Sequence, residues 1–118
     1  MSGLKVNQIY NTSNVEQYLC KAWVNFNGTG TVAIRASGNV SSITDNGTGD
    51  YRVNFTNAMP DTNYVTITGA SDVSWGNKTS TVSQSFVLTT SVRVYCFSGS
   101  GSTSNLTDPE IYCAAIFR

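Results

Sequence analysis

Histidine is missing from all 118 residues of the chain. Its absence excludes Ser-His-Asp and Cys-His nucleophilic catalysis, imidazole metal ligands and a histidine pH switch. Charge is scarce too: 12% of residues are charged, against roughly 25% in an average soluble domain. Seven Lys+Arg balance seven Asp+Glu, so there is no basic field for nucleic acid and no acidic tail. No apolar run approaches the roughly 18 residues of a membrane helix, so membrane insertion is not expected. The opening Met-Ser-Gly-Leu-Lys-Val lacks the charged and apolar segments of a secretory leader. The three cysteines, Cys20, Cys96 and Cys113, are an odd number and argue against a disulfide framework. Three spaced thiols without histidine are also too few for a closed zinc site. The expectation is reduced cysteines buried on strands, in a protein folded in a reducing cytoplasm. A phosphate-cradling GxxxxGK[ST] loop is absent, and no cofactor is expected.

What is present is uncharged polarity. Ser, Thr and Asn number 15, 15 and 12. Ser and Thr suit outward strand positions and Asn suits turns. Such a surface is hydrated without charge repulsion, which also fits a protein packed beside many copies of itself. Seven Asn-x-Ser/Thr sequons occur, and without a leader they read as composition rather than as glycosylation sites.

Val and Ile total 18 against 4 Leu, a ratio that favours strands. Alternation of period two dominates. Ala22, Val24 and Phe26 face one way, with Lys21, Trp23 and Asn25 opposite. Val32, Ile34 and Ala36 repeat the pattern. Tyr51, Val53 and Phe55 do so again, and Val65 with Ile67, Val92–Cys96, and Ile111, Cys113, Ala115 and Phe117 continue the apolar series. Asn-Gly-Thr-Gly occurs twice, at 27–30 and 46–49, and each copy reads as a hairpin turn with Asn-Gly at its centre. Residues 69–79 form a polar loop around Trp75, and the Gly/Ser-rich stretch 98–105 reads as mobile. About eight strands with little helix predict an all-β fold: a single-domain antiparallel β-sandwich or jelly-roll-like knob. It spans residues 20–118. Residues 1–19 are either an arm that docks on another subunit or a first strand, and 15–19 are short enough to make a single helical turn.

No constellation for catalysis is visible, so an enzyme is not expected. Asp45–Asp50 superficially resembles a calcium loop but lacks the alternating ligands and terminal Glu. Asp108 and Glu110 are sequence neighbours on a turn and read as a solvated pair rather than a glycosidase dyad. Trp75 with Asn77 is the candidate ligand-binding pair, since an exposed indole can stack on a sugar ring. The alternative is a Trp folded back on the sheet edge. Leu4, Val6, Ile9, Tyr10 and Trp23 are the candidate contacts with another subunit or a larger assembly, because exposed strand edges and apolar groups call for a cover.

The stretch from Lys21 to Arg35, continuing through Asn39–Tyr51, Val53-Asn54-Phe55 and Ala58-Met59-Pro60-Asp61, resembles a module of tailed-phage virion proteins. Cyanophages are among the phages that carry it. The module occurs at tail-fibre ends and in small particle-surface proteins. The similarity is close over residues 20–68 and stylistic beyond. It implies a β-rich, homotrimeric, non-enzymatic knob on the virion surface, made in the host cytoplasm. No catalytic residues come with it. A chain that opens on methionine with no fibre shaft suits a protein decorating the capsid, with phage capsid protein as its partner. The alternative is a tail-fibre tip, partnered by tail proteins, that recognises a host surface glycan.

Overall fold

The computed structural model describes Gly3, residues 5–72, 78–99 and 105–118, apart from the side chain of Gln84. Among these residues every regular element is a strand. They are β1 (Ile9–Tyr10), β2 (Glu16–Gln17), β3 (Cys20–Asn27), β4 (Ala33–Gly38), β5 (Val40–Gly47), β6 (Asp50–Phe55), β7 (Val65–Ser71), β8 (Lys78–Val87), β9 (Ser91–Ser98), β10 (Asn105–Leu106) and β11 (Ile111–Phe117). Eight of these are six residues or longer, as the sequence predicts.

The long strands form two antiparallel sheets. Sheet 1 runs β4-β3-β11-β7. Sheet 2 runs β5-β6-β9-β8, and β10 takes the same edge of β9 as β6, in line with it. The sheets face each other over one core, so the chain is a single-domain β-sandwich. β3–β4, β5–β6, β8–β9 and β9–β10 pair within a sheet as chain neighbours, while β4–β5, β6–β7, β7–β8 and β10–β11 cross between sheets.

Alternation explains the core. Ala22, Val24 and Phe26 of β3 meet Tyr51, Val53 and Phe55 of β6 and Val92, Val94 and Cys96 of β9, all of them buried. Phe26 is the centre of an aromatic cluster. Its ring lies 5.1 Å from Tyr51, edge-on, and 5.2 Å from Tyr112, stacked. Such pairs add about 0.5–1.5 kcal/mol beyond their area burial. Buried hydroxyls need partners. Tyr112 donates to the carbonyl of Tyr95 at 3.3 Å, and Tyr64 donates to that of Leu88 at 2.8 Å.

Two of the apolar series face the other way from the sequence reading, and Ala36, read with Val32 and Ile34, turns outward beside Asn25 because a bulge shifts the register before it. On β11 it is Tyr112, Ala114 and Ile116 that are buried, while Cys113 is exposed. On β7, Val65 and Ile67 point outward. Both faces of β11 are apolar, so period two cannot choose between them. The choice follows from pairing, which places Ala114 between inward Val24 and Thr68. The cysteine expectation changes with it: all three are free and only Cys96 is buried.

Turn details differ as well. Residues 16–17 are strand rather than a helical turn. In the second Asn-Gly-Thr-Gly the strands end at Gly47 and resume at Asp50, so Thr48-Gly49 makes the turn, with φ of 64° at Gly49. The first copy opens a longer connection, residues 28–32, between β3 and β4. The asparagines with positive φ are instead Asn14 and Asn39. Asn39 is the single residue between β4 and β5. Its amide donates to the carbonyls of Lys21 (3.0 Å) and Asn57 (3.1 Å), and its Oδ1 accepts the Asn57 N–H (2.7 Å).

Asp108 is not a solvated carboxylate. Its Oδ1 accepts the Tyr51 hydroxyl at 2.6 Å and the Gly49 N–H at 2.8 Å, and Gly28 N–H bonds the adjacent Pro109 carbonyl at 2.8 Å. This clasp ties three turns together at one pole of the sandwich. Burial, reinforced by the Asp108 bond, holds the Tyr51 phenol far above its ordinary range.

Candidate functional site

The outward face of sheet 1 holds an exposed apolar groove. Register builds it row by row. Trp23 on β3 pairs with Gly38 on β4 and Ala115 on β11, and Ala115 pairs with Ile67 on β7. The next row is Ala36, Asn25, Cys113 and Gly69. A third joins Phe117 to Val65. Paired residues share a face, so large side chains stand at Trp23 and Ile67 with small ones between. The result is a shallow groove of about 530 Å³ lined by Trp23, Asn25, Ile67, Gly69, Cys113 and Ala115, among others, with no charged residue in its lining. Trp23 is 44% exposed, and Val65 and Ile67 are 59% exposed each. Gly38 makes room for the indole, because a Cβ there would collide with it.

A second apolar surface lies N-terminal to β3. β1 and β2 pair only with each other, as a small antiparallel hairpin outside both sheets. Asn11 shapes its turn, its Oδ1 accepting the N–H groups of Ser13 at 2.9 Å and Val15 at 3.0 Å. This is the local bond that suits Asn to turns. Tyr18 is 78% exposed, and Val6, Ile9, Tyr10, Val15 and Leu19 are exposed too. A small cleft lined by Val6, Ile9, Tyr18, Leu19, Lys21 and Arg118, among others, sets the hairpin beside the start of β3 and the C-terminal residue. At the same end Arg118 forks onto Asp61, at 2.8 and 2.7 Å. That guanidinium holds the Asp61 carboxyl down to about 2.

The predicted contact residues Val6, Ile9, Tyr10 and Trp23 are thus all exposed. Val6 and Ile9 share the hairpin cleft, whereas Trp23 belongs to the groove on sheet 1. Leu4, Trp75 and Asn77 lie outside the described residues, as does most of the predicted mobile stretch. Sequence reasoning missed Val65, Ile67 and Cys113 as surface groups because it read them as core. It did not single out Tyr18 and Leu19, because it left residues 1–19 open between an arm and a first strand, with a helical turn allowed at 15–19. The signal for β7 was available in part: threonines at Thr66 and Thr68 fit an inward position wherever a hydroxyl finds a partner, and Thr68 Oγ1 donates to Ser80 Oγ at 2.8 Å.

No group of three or more His, Cys, Asp or Glu that could hold a metal ion occurs among the described residues. The calcium-like sequence at 45–50 is spent on structure. Asp45 Oδ1 accepts the Gly47 N–H at 3.0 Å, and both Asp50 oxygens meet Arg93. No described helix is long and apolar enough to cross a membrane. What the surface offers is two exposed apolar areas, suited to covering by another protein surface.

The chain is therefore an antiparallel β-sandwich with an apolar outer sheet face and an appended hairpin. No family model matches it, and no curated protein or solved structure does either.

Proposed function

We propose that this chain is a non-enzymatic structural protein of a tailed-phage particle, a knob that self-associates as a homotrimer and decorates the capsid. The observation that carries the reading is the uncharged groove on the outer face of sheet 1, lined by exposed Trp23 and Ile67, with exposed Val65 on the same face. Contiguous exposed apolar surface on a soluble domain is characteristic of a protein contact. Aromatic residues are enriched at such contacts and charge is depleted from their centres. The hairpin supplies a second, different apolar surface on the same chain. Two unlike surfaces on one chain permit head-to-tail contacts that close into a ring. The resemblance over residues 20–68 supports the phage context, and the low charge suits close packing of many copies.

Sedimentation equilibrium of the purified protein at micromolar concentration tests the assembly. A trimer is expected, and Trp23→Lys combined with Ile67→Lys converts it to a folded monomer. A wild-type monomer at that concentration overturns the trimer. Labelled antibody on intact virions tests the placement: label over the head supports a decoration protein, and label at the tail transfers the knob to a fibre tip.

A further inference from the structure

The outer face of sheet 2 carries two arginines side by side. Arg52 of β6 and Arg93 of β9 are direct cross-strand partners, so both project from the same face. Like charges in that relation are unfavourable unless compensated. Only Arg93 is fully compensated. Its Nε donates to Asp50 Oδ1 at 2.8 Å and its Nη2 to Oδ2 at 2.6 Å. The rings of Phe86 and Tyr95 lie 4.8 and 5.6 Å from its guanidinium carbon. Arg52 is left over. Its Nε is buried and meets no acceptor, and its guanidinium carbon lies 5.9 Å from the Phe86 ring. A buried donor on an ionised group is among the costlier ones to leave unpaired, and each such group calls for a reason.

The other neighbour of Arg52 adds hydroxyl groups to the same face. Thr44 of β5 is its partner on that side. Asn54 spends both amide hydrogens nearby, donating to Ser42 Oγ at 3.1 Å and to Thr44 Oγ1 at 2.9 Å. The hydroxyl hydrogens of Ser42 and Thr44 therefore point away from Asn54, on exposed side chains. Thr44, the cross-strand partner of Arg52, and Ser42, two residues along the same face, thus each offer an O–H donor, and the half-exposed Phe86 ring lies on the other side of the guanidinium. Two cations and one carboxylate leave this face with one positive charge.

We propose that Arg52, Thr44 and Ser42 form a binding site for the carboxylate end of an acidic sugar residue. A guanidinium presents parallel N–H groups that match the two oxygens of a carboxylate, which a point charge does not. The two hydroxyls donate to the ring and hydroxyl oxygens that adjoin a uronate carboxylate. Asp50 does not repel the ligand, because Arg93 neutralises it. The site lies on the sheet opposite the apolar groove and stands whether or not the chain forms trimers.

Titration of the ¹⁵N-labelled full chain with methyl glucuronide tests this, read at the Arg52 Nε–H resonance. Saturable movement in the millimolar range is expected, with methyl glucoside producing none and acetate binding several-fold more weakly. Arg52→Gln and Arg52→Lys each weaken glucuronide binding by about tenfold or more, the second because it keeps the charge and loses the fork. Thr44→Val weakens it without touching the cation, and melting curves confirm that each variant is folded. A resonance unmoved by glucuronide, undiminished binding by Arg52→Gln, or equal binding of glucoside or acetate overturns the proposal.

Discussion

The last glycine does different work in the two copies of the repeated tetrapeptide. Gly49 has φ of 64°, and a Cβ there would lie 2.5 Å from the Cys96 carbonyl oxygen and 2.6 Å from the Thr107 nitrogen, both backbone atoms. Gly30 has φ of 60° with nothing within 4 Å. Gly30→Ala therefore costs only the left-handed penalty, about 1 kcal/mol. Gly49→Ala adds a clash that side-chain movement cannot relieve, for a total of about 3 kcal/mol or more. Urea unfolding of the two variants checks the difference. Cysteine gives a second contrast. Burial pushes the Cys96 thiol up to about 11, while Cys20 and Cys113 are exposed. Thiolate is the reactive form, so in the native protein a disulfide reagent at neutral pH is expected to modify Cys20, and Cys113 wherever the sheet 1 groove is uncovered, as in the Trp23→Lys, Ile67→Lys monomer. The third reacts only on unfolding. Fast reaction of all three would contradict the burial of Cys96.

At the level of elements, the strands with one apolar face were legible and those with two were not. Tyr51, Val53 and Phe55 alternate with Asp50, Arg52 and Asn54, so hydration alone decides which side of β6 turns inward. On β11 the alternatives are Ile111, Cys113, Ala115 and Phe117 against Tyr112, Ala114 and Ile116, and hydrophobicity does not separate them. Stacking of Tyr112 on Phe26 and the register with β3 do. Those are long-range contacts that no local window contains. The face of β7 follows from the same register with β11. The contact surface was legible in part for this reason: Trp23 stood out, being opposite a clear apolar series, whereas its groove partner Ile67 was assigned to the core. The hairpin was hidden because its turn depends on one asparagine side chain. Since β1 and β2 pair with no other strand, removal of residues 1–19 is expected to leave the sandwich folded. The melting temperature shifts by a few degrees at most, and, on the proposed decorating role, cosedimentation with capsids is lost. Unfolding of the truncated chain would show that the hairpin is part of the core fold.

Among the described residues, the titrations that folding shifts lie at the extremes of pH. Arg93 lowers the Asp50 carboxyl, and Arg118 lowers that of Asp61 to about 2. A carboxyl with a depressed folded pKa stabilises above its unfolded value near 4 and loses that contribution as pH falls through the folded one. Cys96 is raised to about 11 and Tyr64 to about 12, both chiefly by burial. Groups raised in the folded state stabilise fully below their unfolded values, about 8.5 and 10, and lose that contribution as pH rises through the folded ones. With no histidine between these limits, the urea midpoint is expected to be flat from about pH 5 to 8 and to fall on both sides. A slope across neutral pH would reveal a titrating group that this arrangement lacks.

The clasp of Asp108, Tyr51 and Gly28 closes one pole of the sandwich, while the hairpin and Arg118 share the other. A fusion joined after Arg118 would stand beside the hairpin and crowd whatever that end touches. The connection through Gly30 opens into empty space at the clasped pole, a sandwich length away. It is the natural point for an inserted epitope or dye, because cargo there leaves both the hairpin and the carboxyl terminus unobstructed. On a particle bearing many copies, that choice decides whether a passenger is displayed or blocks its carrier.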